Sequence, residues 1–222
     1  MGTLYFVRHG QASLGAADYD QLSELGARQC RALGEYFAER QVSFEAVLRG
    51  TLRRHVQSMD AFVEGYGSLP AALDWPGLNE YDSEALIRSV HPGPLAKPDS
   101  PEVQRAHFRL LREGMAAWMA GRTAPAGMPA YADWVRGITS ALDHVRSTLS
   151  GKVLIFSSGG PISTAVGQVL GIAAETTIEL NLRIRNSSLT EFAFTPTRHM
   201  LVSYNHLPHL DRPDRAAWVT YS

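Results

Sequence analysis

Three short stretches of consecutive apolar residues, LYFV at 4–7, AVL at 46–48 and VLIF at 153–156, narrow the fold more than anything else in the chain. Each is bounded by polar or glycine-rich residues, as expected of strands buried on both faces of a parallel sheet. Between the first two, residues 22–40 set Leu22, Leu25, Leu33, Tyr36 and Phe37 near helical spacing, with Ser23 placed to cap the helix. Strand, helix and strand within about fifty residues make a βαβ unit. After the third run comes SSGGPISTAVGQVLG, which reads as a tight strand-to-helix turn with Pro161 at the helix start and Gly171 as its stop. The class is α/β.

Residues 81–150 differ in character. Pro- and Gly-rich breaks at 91–102 and 121–131 surround helical patterns near 102–120 and 131–149. They read as a helical cap inserted over the sheet edge of a single domain covering 1–222. Near the end, SLTEFAF and MLVSYN, separated by TPTRH, form a strand hairpin with a longer loop. The aromatic set Trp118, Tyr131 and Trp134 is read first as packing of the insertion's helices. A second reading, lining of a pocket, would favour a phosphate ester with an apolar body.

Formal net charge is −1, so no global field recruits nucleic acid or an anionic membrane, and anion binding must come from local placement. No stretch approaches membrane-spanning length, and no secretory leader is visible. A cytoplasmic location and a small-molecule partner are expected, with oligomerisation left open. The one cysteine, Cys30, lies within a helical pattern and reads as buried filler.

Ligands of open α/β sheets bind beyond the carboxyl ends of strands. There the first run delivers Arg8, His9 and Gly10, the second Arg49, Arg53, Arg54 and His55, and the third Ser158 and Gly159 at a helix N-terminus. Arginines and free backbone N–H groups converging on one point would hold a phosphoryl group by charge-assisted hydrogen bonds. A histidine in their midst is either a further donor or the nucleophile. Gln11, His55 and His206 are further candidates near the proposed mouth. The plainer alternatives are an Arg-His pair in a solvated loop and a tight turn at SSGG with Ser157 as cap. A serine-hydrolase elbow is disfavoured because Phe156, not glycine, stands two residues before Ser158. His199, His206 and His209 lack the acidic or cysteine partners of a metal site.

RHGQAS (8–13) followed by LSELGARQ (22–29) resembles the opening of the histidine phosphatase superfamily, phosphoglycerate mutase-like branch. GTLRRHVQS (50–58), GLNEYD (77–82), VLIFSSGG (153–160) and NHLPHL (205–210) resemble its later segments, in the same order. The resemblance implies a three-layer sandwich with a mainly parallel central sheet and helices on both faces. It implies hydrolysis of a phosphomonoester through a phosphohistidine on His9, with Arg8, Arg54, Ser158 and Gly159 holding the phosphoryl group. Glu80 would be the proton donor, unless it is only a helix-start carboxylate stabilised by the dipole. No metal or cofactor is called for.

Three departures stand out. Where the family has a second active-site histidine this chain has Ser158, and where it commonly has alanine this chain has His55. A glutamate usual near the last helix of the insertion is also missing, with only Asp133 nearby. Losing one preorganised donor lowers turnover by about 10²–10³, so weak or substrate-restricted activity is expected unless His55 or His206 refills the gap. Two rival readings are a mutase, which would draw on Arg88, Lys97, Arg105 or Arg109 for a second anion, and a non-catalytic phosphate binder.

Overall fold

The computed structural model describes residues 1–13, 20–95 and 100–221. The strands are β1 (Gly2–Arg8), β2 (Ala46–Arg49), β3 (Ala72–Asp74), β4 (Gly151–Ser157), β5 (Leu189–Thr195) and β6 (Arg198–His206). The helices are α1 (Glu24–Glu39), α2 (Arg53–Tyr66), α3 (Ser83–Val90), α4 (Pro101–Met119), α5 (Tyr131–Thr148), α6 (Gly159–Leu170) and α7 (Ala174–Arg183). The strands form one sheet in the order β3-β2-β4-β1-β5-β6, in which β1 to β4 run parallel and β5 is antiparallel to both β1 and β6.

The apolar runs are continuous because both faces of the central strands are covered. Leu4, Phe6, Val153, Ile155, Phe192 and Phe194 point one way, into a core with residues of α5 and α6. Val7, Val47, Leu154, Phe156 and Leu189 point the other way, against Leu33 and Phe37 of α1 and Phe62 of α2. This is the expected three-layer sandwich. Phe156 and Phe62 meet edge to face at 5.5 Å, and truncating such a buried phenylalanine to alanine costs about 3–5 kcal/mol.

Local signals hold at the helix ends. Ser23 caps α1, its Oγ accepting from the Gly26 N–H at 3.0 Å. Gly171 ends α6 in the left-handed region at φ 64°, where a side chain would be strained. Strand β3 has no counterpart among the expected strands: it is three residues at the sheet edge with Leu73 exposed, so no apolar run marks it.

The helical insertion is not one body. Ile138, Ala141, Leu142 and Val145 of α5 belong to the main core beside β1 and β4, so most of α5 is a layer helix, while Tyr131 and Trp134 in its first turn pack against the insertion's own core. What stands over the sheet is α3 and α4, joined to α7 through a smaller core of Leu86, Met115, Trp118 and Ile178. Trp118 anchors it, with ring contacts to Tyr131 at 5.1 Å and Trp134 at 5.3 Å and an indole N–H donating to the Pro129 carbonyl. Among the described residues no helix is long and apolar enough to cross a membrane.

Candidate active site

Strand β1 lies between β4 and β5, and its register pairs Arg8 with Ser157. The His9 N–H continues that ladder by donating to the Ser157 carbonyl at 2.9 Å. The triplet is then tied to α2, where the Gly10 N–H donates to Ser58 Oγ at 3.1 Å and Ser58 Oγ donates to the Arg54 carbonyl at 2.6 Å. One short network thus fixes the Arg-His-Gly turn and the first turn of α2 together.

His9 is 3% exposed, and its Nδ1 lies 2.7 Å from the Gly10 carbonyl oxygen. A carbonyl only accepts, so Nδ1 carries the proton and the lone pair of the neutral ring falls to Nε2. Burial pushes the imidazole pKa well below its ordinary value, and Arg8, Arg54 and His55 push the same way.

Arg54 is buried in the first turn of α2 and pairs with Asp20 through Nη1 at 2.8 Å. The Asp20 carboxylate also accepts from the backbone N–H groups of Arg53 and Arg54, so it caps the start of α2. Arg8 is held through Nη1 by the carbonyls of Ile184 at 2.6 Å and Tyr221 at 2.8 Å. Glu80 follows the 3₁₀ turn at Pro76–Leu78 and accepts from the Gly160 N–H at 3.2 and 3.1 Å, at the N-terminus of α6. Desolvation raises the Glu80 pKa, with Arg54, the Gly160 N–H and Arg8 pulling back. Glu80 is therefore tied to α6 rather than serving merely as the opening carboxylate of α3.

Arg8, His9, Arg54 and Glu80 line one open cavity of about 350 Å³. The rest of the lining is mixed: Tyr81, Phe108, Leu111 and Leu182 beside Asp82, Ser83, Asn181 and Tyr221. Ser158 and Gly159, at the head of α6, are not among the residues lining the cavity. Ser158 is fully buried, and its Oγ lies 2.6 Å from Nε2 of the equally buried His55. Burial and then Arg54 push His55 well below its ordinary pKa, so this ring too is neutral.

Two expected site residues are elsewhere. Gln11 turns toward α1, its Oε1 accepting from Ser23 Oγ. His206 is exposed at the end of β6 and borders a different depression with Arg185 and Leu210. Its strand is the outermost, with β5 between it and β1, which carries the side chain away from the mouth. Asp20, Asn181 and Tyr221 reach the site or its arginines only through tertiary packing, and no local signal marks them. Among the described residues no group of three or more His, Cys, Asp or Glu side chains comes together.

The arrangement can accept a phosphoryl group at an unprotonated imidazole nitrogen, between two guanidinium groups and opposite a carboxyl that burial inclines to keep its proton. Solved structures of similar fold include a phosphoserine phosphatase from Entamoeba histolytica in complex with 3-phosphoglyceric acid, at 15% identity over 95% of this chain and 100% of that one, with a TM-score of 0.62. A mycobacterial glucosyl-3-phosphoglycerate phosphatase complexed with VO3 gives 23% identity, 92% and 99% coverage and a TM-score of 0.63. A phosphoglycerate mutase from Bacillus anthracis str. Sterne gives 16%, 94%, 94% and 0.63. At these identities the likeness establishes the fold alone. No curated protein matches the chain in sequence. The profile of the histidine phosphatase superfamily, branch 1, matches residues 4–207, and the chain belongs to that superfamily.

Proposed function

We propose that this chain is a phosphomonoester hydrolase working through a phosphohistidine on His9. The observation that carries the reading is the pinned tautomer. With Nδ1–H committed to the Gly10 carbonyl, Nε2 is the nucleophilic nitrogen, in a ring kept neutral beside two cations. Nε2 forms a bond to phosphorus as the ester P–O bond breaks, and the leaving oxygen takes the Glu80 proton. Water then attacks phosphorus, the N–P bond breaks with its electrons returning to Nε2, and the Glu80 carboxylate takes a proton from the water. Arg8 and Arg54 balance charge on the equatorial oxygens, a role metal ions fill in other phosphoryl-transfer sites.

Hydrolysis is favoured over a mutase reaction, which must hold a second anionic group. Among the described residues lining the cavity, the cationic side chains are Arg8 and Arg54 alone, and Asp82 adds an opposing carboxylate. Arg88 pairs with Glu84 and Arg105 with Glu102, all four exposed, while Arg109 borders a separate depression with Glu113 and Glu175. Lys97 lies outside the described residues. Phe108, 54% exposed at the cavity wall, and Leu111 suit an ester with an uncharged, apolar body.

The test is to quench turnover of p-nitrophenyl phosphate and look for acid-labile phosphate on the protein. Labelling of His9, abolished in His9→Ala, is expected. Vanadate binding without labelling would mean a binder, and 3-phosphoglycerate turned over faster than the aryl ester would refute the apolar-bodied substrate.

A further inference from the structure

The contact between His55 and Ser158 joins residues 103 apart in sequence, and both are fully buried. Ser158 occupies the N-cap position of α6, yet its hydroxyl makes no capping bond there and is engaged instead by α2. Its chain neighbours hold residues of the site. Ser157, the preceding residue, takes the His9 N–H, while two residues on, the Gly160 N–H holds Glu80. A Cβ at Gly159 would stand 3.7 Å from Arg8 Nε, and the His55 ring lies 5.9 Å from the His9 ring.

His55 is fitted closely to this position. Its Nδ1 makes no well-aligned hydrogen bond and packs so near Gly50 that a Cβ there would be 2.2 Å away. An apolar side chain would fill the same space without burying an unsatisfied nitrogen, so packing alone does not account for an imidazole. The Gly50 carbonyl offers Nδ1 only a poorly aligned acceptor, which leaves the Nε2–H tautomer accessible.

We propose that His55 is a positioning residue acting on the phosphoryl group through Ser158. Its Nε2–H donates to Ser158 Oγ, and the hydroxyl then donates its own hydrogen to a phosphoryl oxygen held between Arg8 and Arg54. The imidazole missing from the end of β4 is supplied from α2, one side chain further back. Catalytic hydrogen bonds of this kind often tighten only when substrate is bound. The inference rests on His9 being the phosphoryl acceptor.

The experiment compares His55→Ala, Ser158→Ala, their double variant, His55→Gln and the swapped variant His55→Ala/Ser158→His. It reads kcat for p-nitrophenyl phosphate per folded molecule, vanadate affinity and the pH profile. Each alanine variant should lose about 10²-fold in kcat. The double variant should lose no more than either single, because the two residues act as one unit. The swapped variant should recover most of the loss. His55→Gln, whose amide keeps a donor near the Nε2 position, should keep more activity than His55→Ala. Wild-type kcat in the single variants, additive losses, or a swapped variant no better than His55→Ala would overturn the proposal. So would an acid-stable phosphoserine at 158. If His55→Ala does not fold, Ser158→Ala, which removes a single oxygen, carries the test. Full activity in His9→Ala would instead sink the underlying phosphohistidine reading, whereas an inactive His9→Ala beside unimpaired His55→Ala and Ser158→Ala sinks this inference only.

Discussion

Adding one methyl group at Gly160 should disable the proton donor while leaving the anion clamp in place. A Cβ there would stand 2.1 Å from Glu80 Oε1 and 2.7 and 2.8 Å from two carbons of the Tyr81 ring. The carboxylate must retreat by about 1 Å or more, and a displacement of that size at a reacting group costs on the order of 10²-fold. Retreat also breaks the bonds from the Gly160 N–H that hold Glu80 at the head of α6. The helix itself does not object, since alanine in a helix is favoured over glycine by about 0.5–1 kcal/mol. In Gly160→Ala, hydrolysis of an alkyl phosphate should therefore fall about 10²-fold or more. An ester of a good leaving group should behave differently. Phosphorylation of His9 then needs little help, but hydrolysis of the phosphohistidine still needs Glu80 as base. Stopped-flow release of p-nitrophenol should show a fast burst of one equivalent, then slow turnover. Vanadate affinity, set by Arg8 and Arg54, should change little. Unchanged turnover of the alkyl ester would refute the role given to Glu80, and joint loss of vanadate binding would show that the whole site had collapsed.

The pH dependence carries its own signs. Because His9 is pushed well below its ordinary pKa and Glu80 is raised, kcat/KM should stay level as pH falls below 6.5 and should decline on the alkaline side as Glu80 loses its proton; an acidic limb centred at an ordinary histidine value would contradict the buried nucleophile. Stability should move with His209, which burial lowers from 6.5 to about 3 and whose Nε2 bonds Ser187 Oγ at 2.9 Å. The unfolded chain takes up that proton below 6.5 and the folded chain resists until about 3, so urea midpoints should fall as pH drops through this window, less steeply in His209→Gln. His9 and His55 act in the same direction, whereas Glu80, being raised, favours the fold at low pH and gives that up as pH rises above 4.5 toward its folded value. Cys30 is fully buried with its thiol pushed up to about 11, so alkylating reagents at pH 8 should label it only on unfolding; rapid labelling of the native chain would refute the burial.

Features set within a few residues were legible in the chain. VLIF at 153–156 is continuous because β4 has neighbours on both sides and helices on both faces, and Ser23 and Gly171 mark helix ends through bonds and φ angles of their own turns. The place of Arg8 and His9 was legible for the same reason: an Arg-His-Gly triplet straight after an apolar run puts polar groups at a strand's carboxyl end whatever its neighbours are. Edge strand β3 left no pattern because it is three residues long and Leu73 is about half exposed. The helical pattern of α5 tells that one face is buried but not against which surface, and most of that face lies on the sheet.

What only the tertiary structure decided is which side chains meet. Gln11 and His206 sit beside or within segments that resemble the family's site, yet one turns to Ser23 and the other is carried to the sheet edge by β6. Asp20 on Arg54, the Tyr221 carbonyl on Arg8 and His55 on Ser158 are contacts between distant segments. Hydrophobic period and turn chemistry report each residue's own backbone and burial, which are local quantities. The partner across a packed interface depends on how whole elements are stacked, and no window of the sequence contains that.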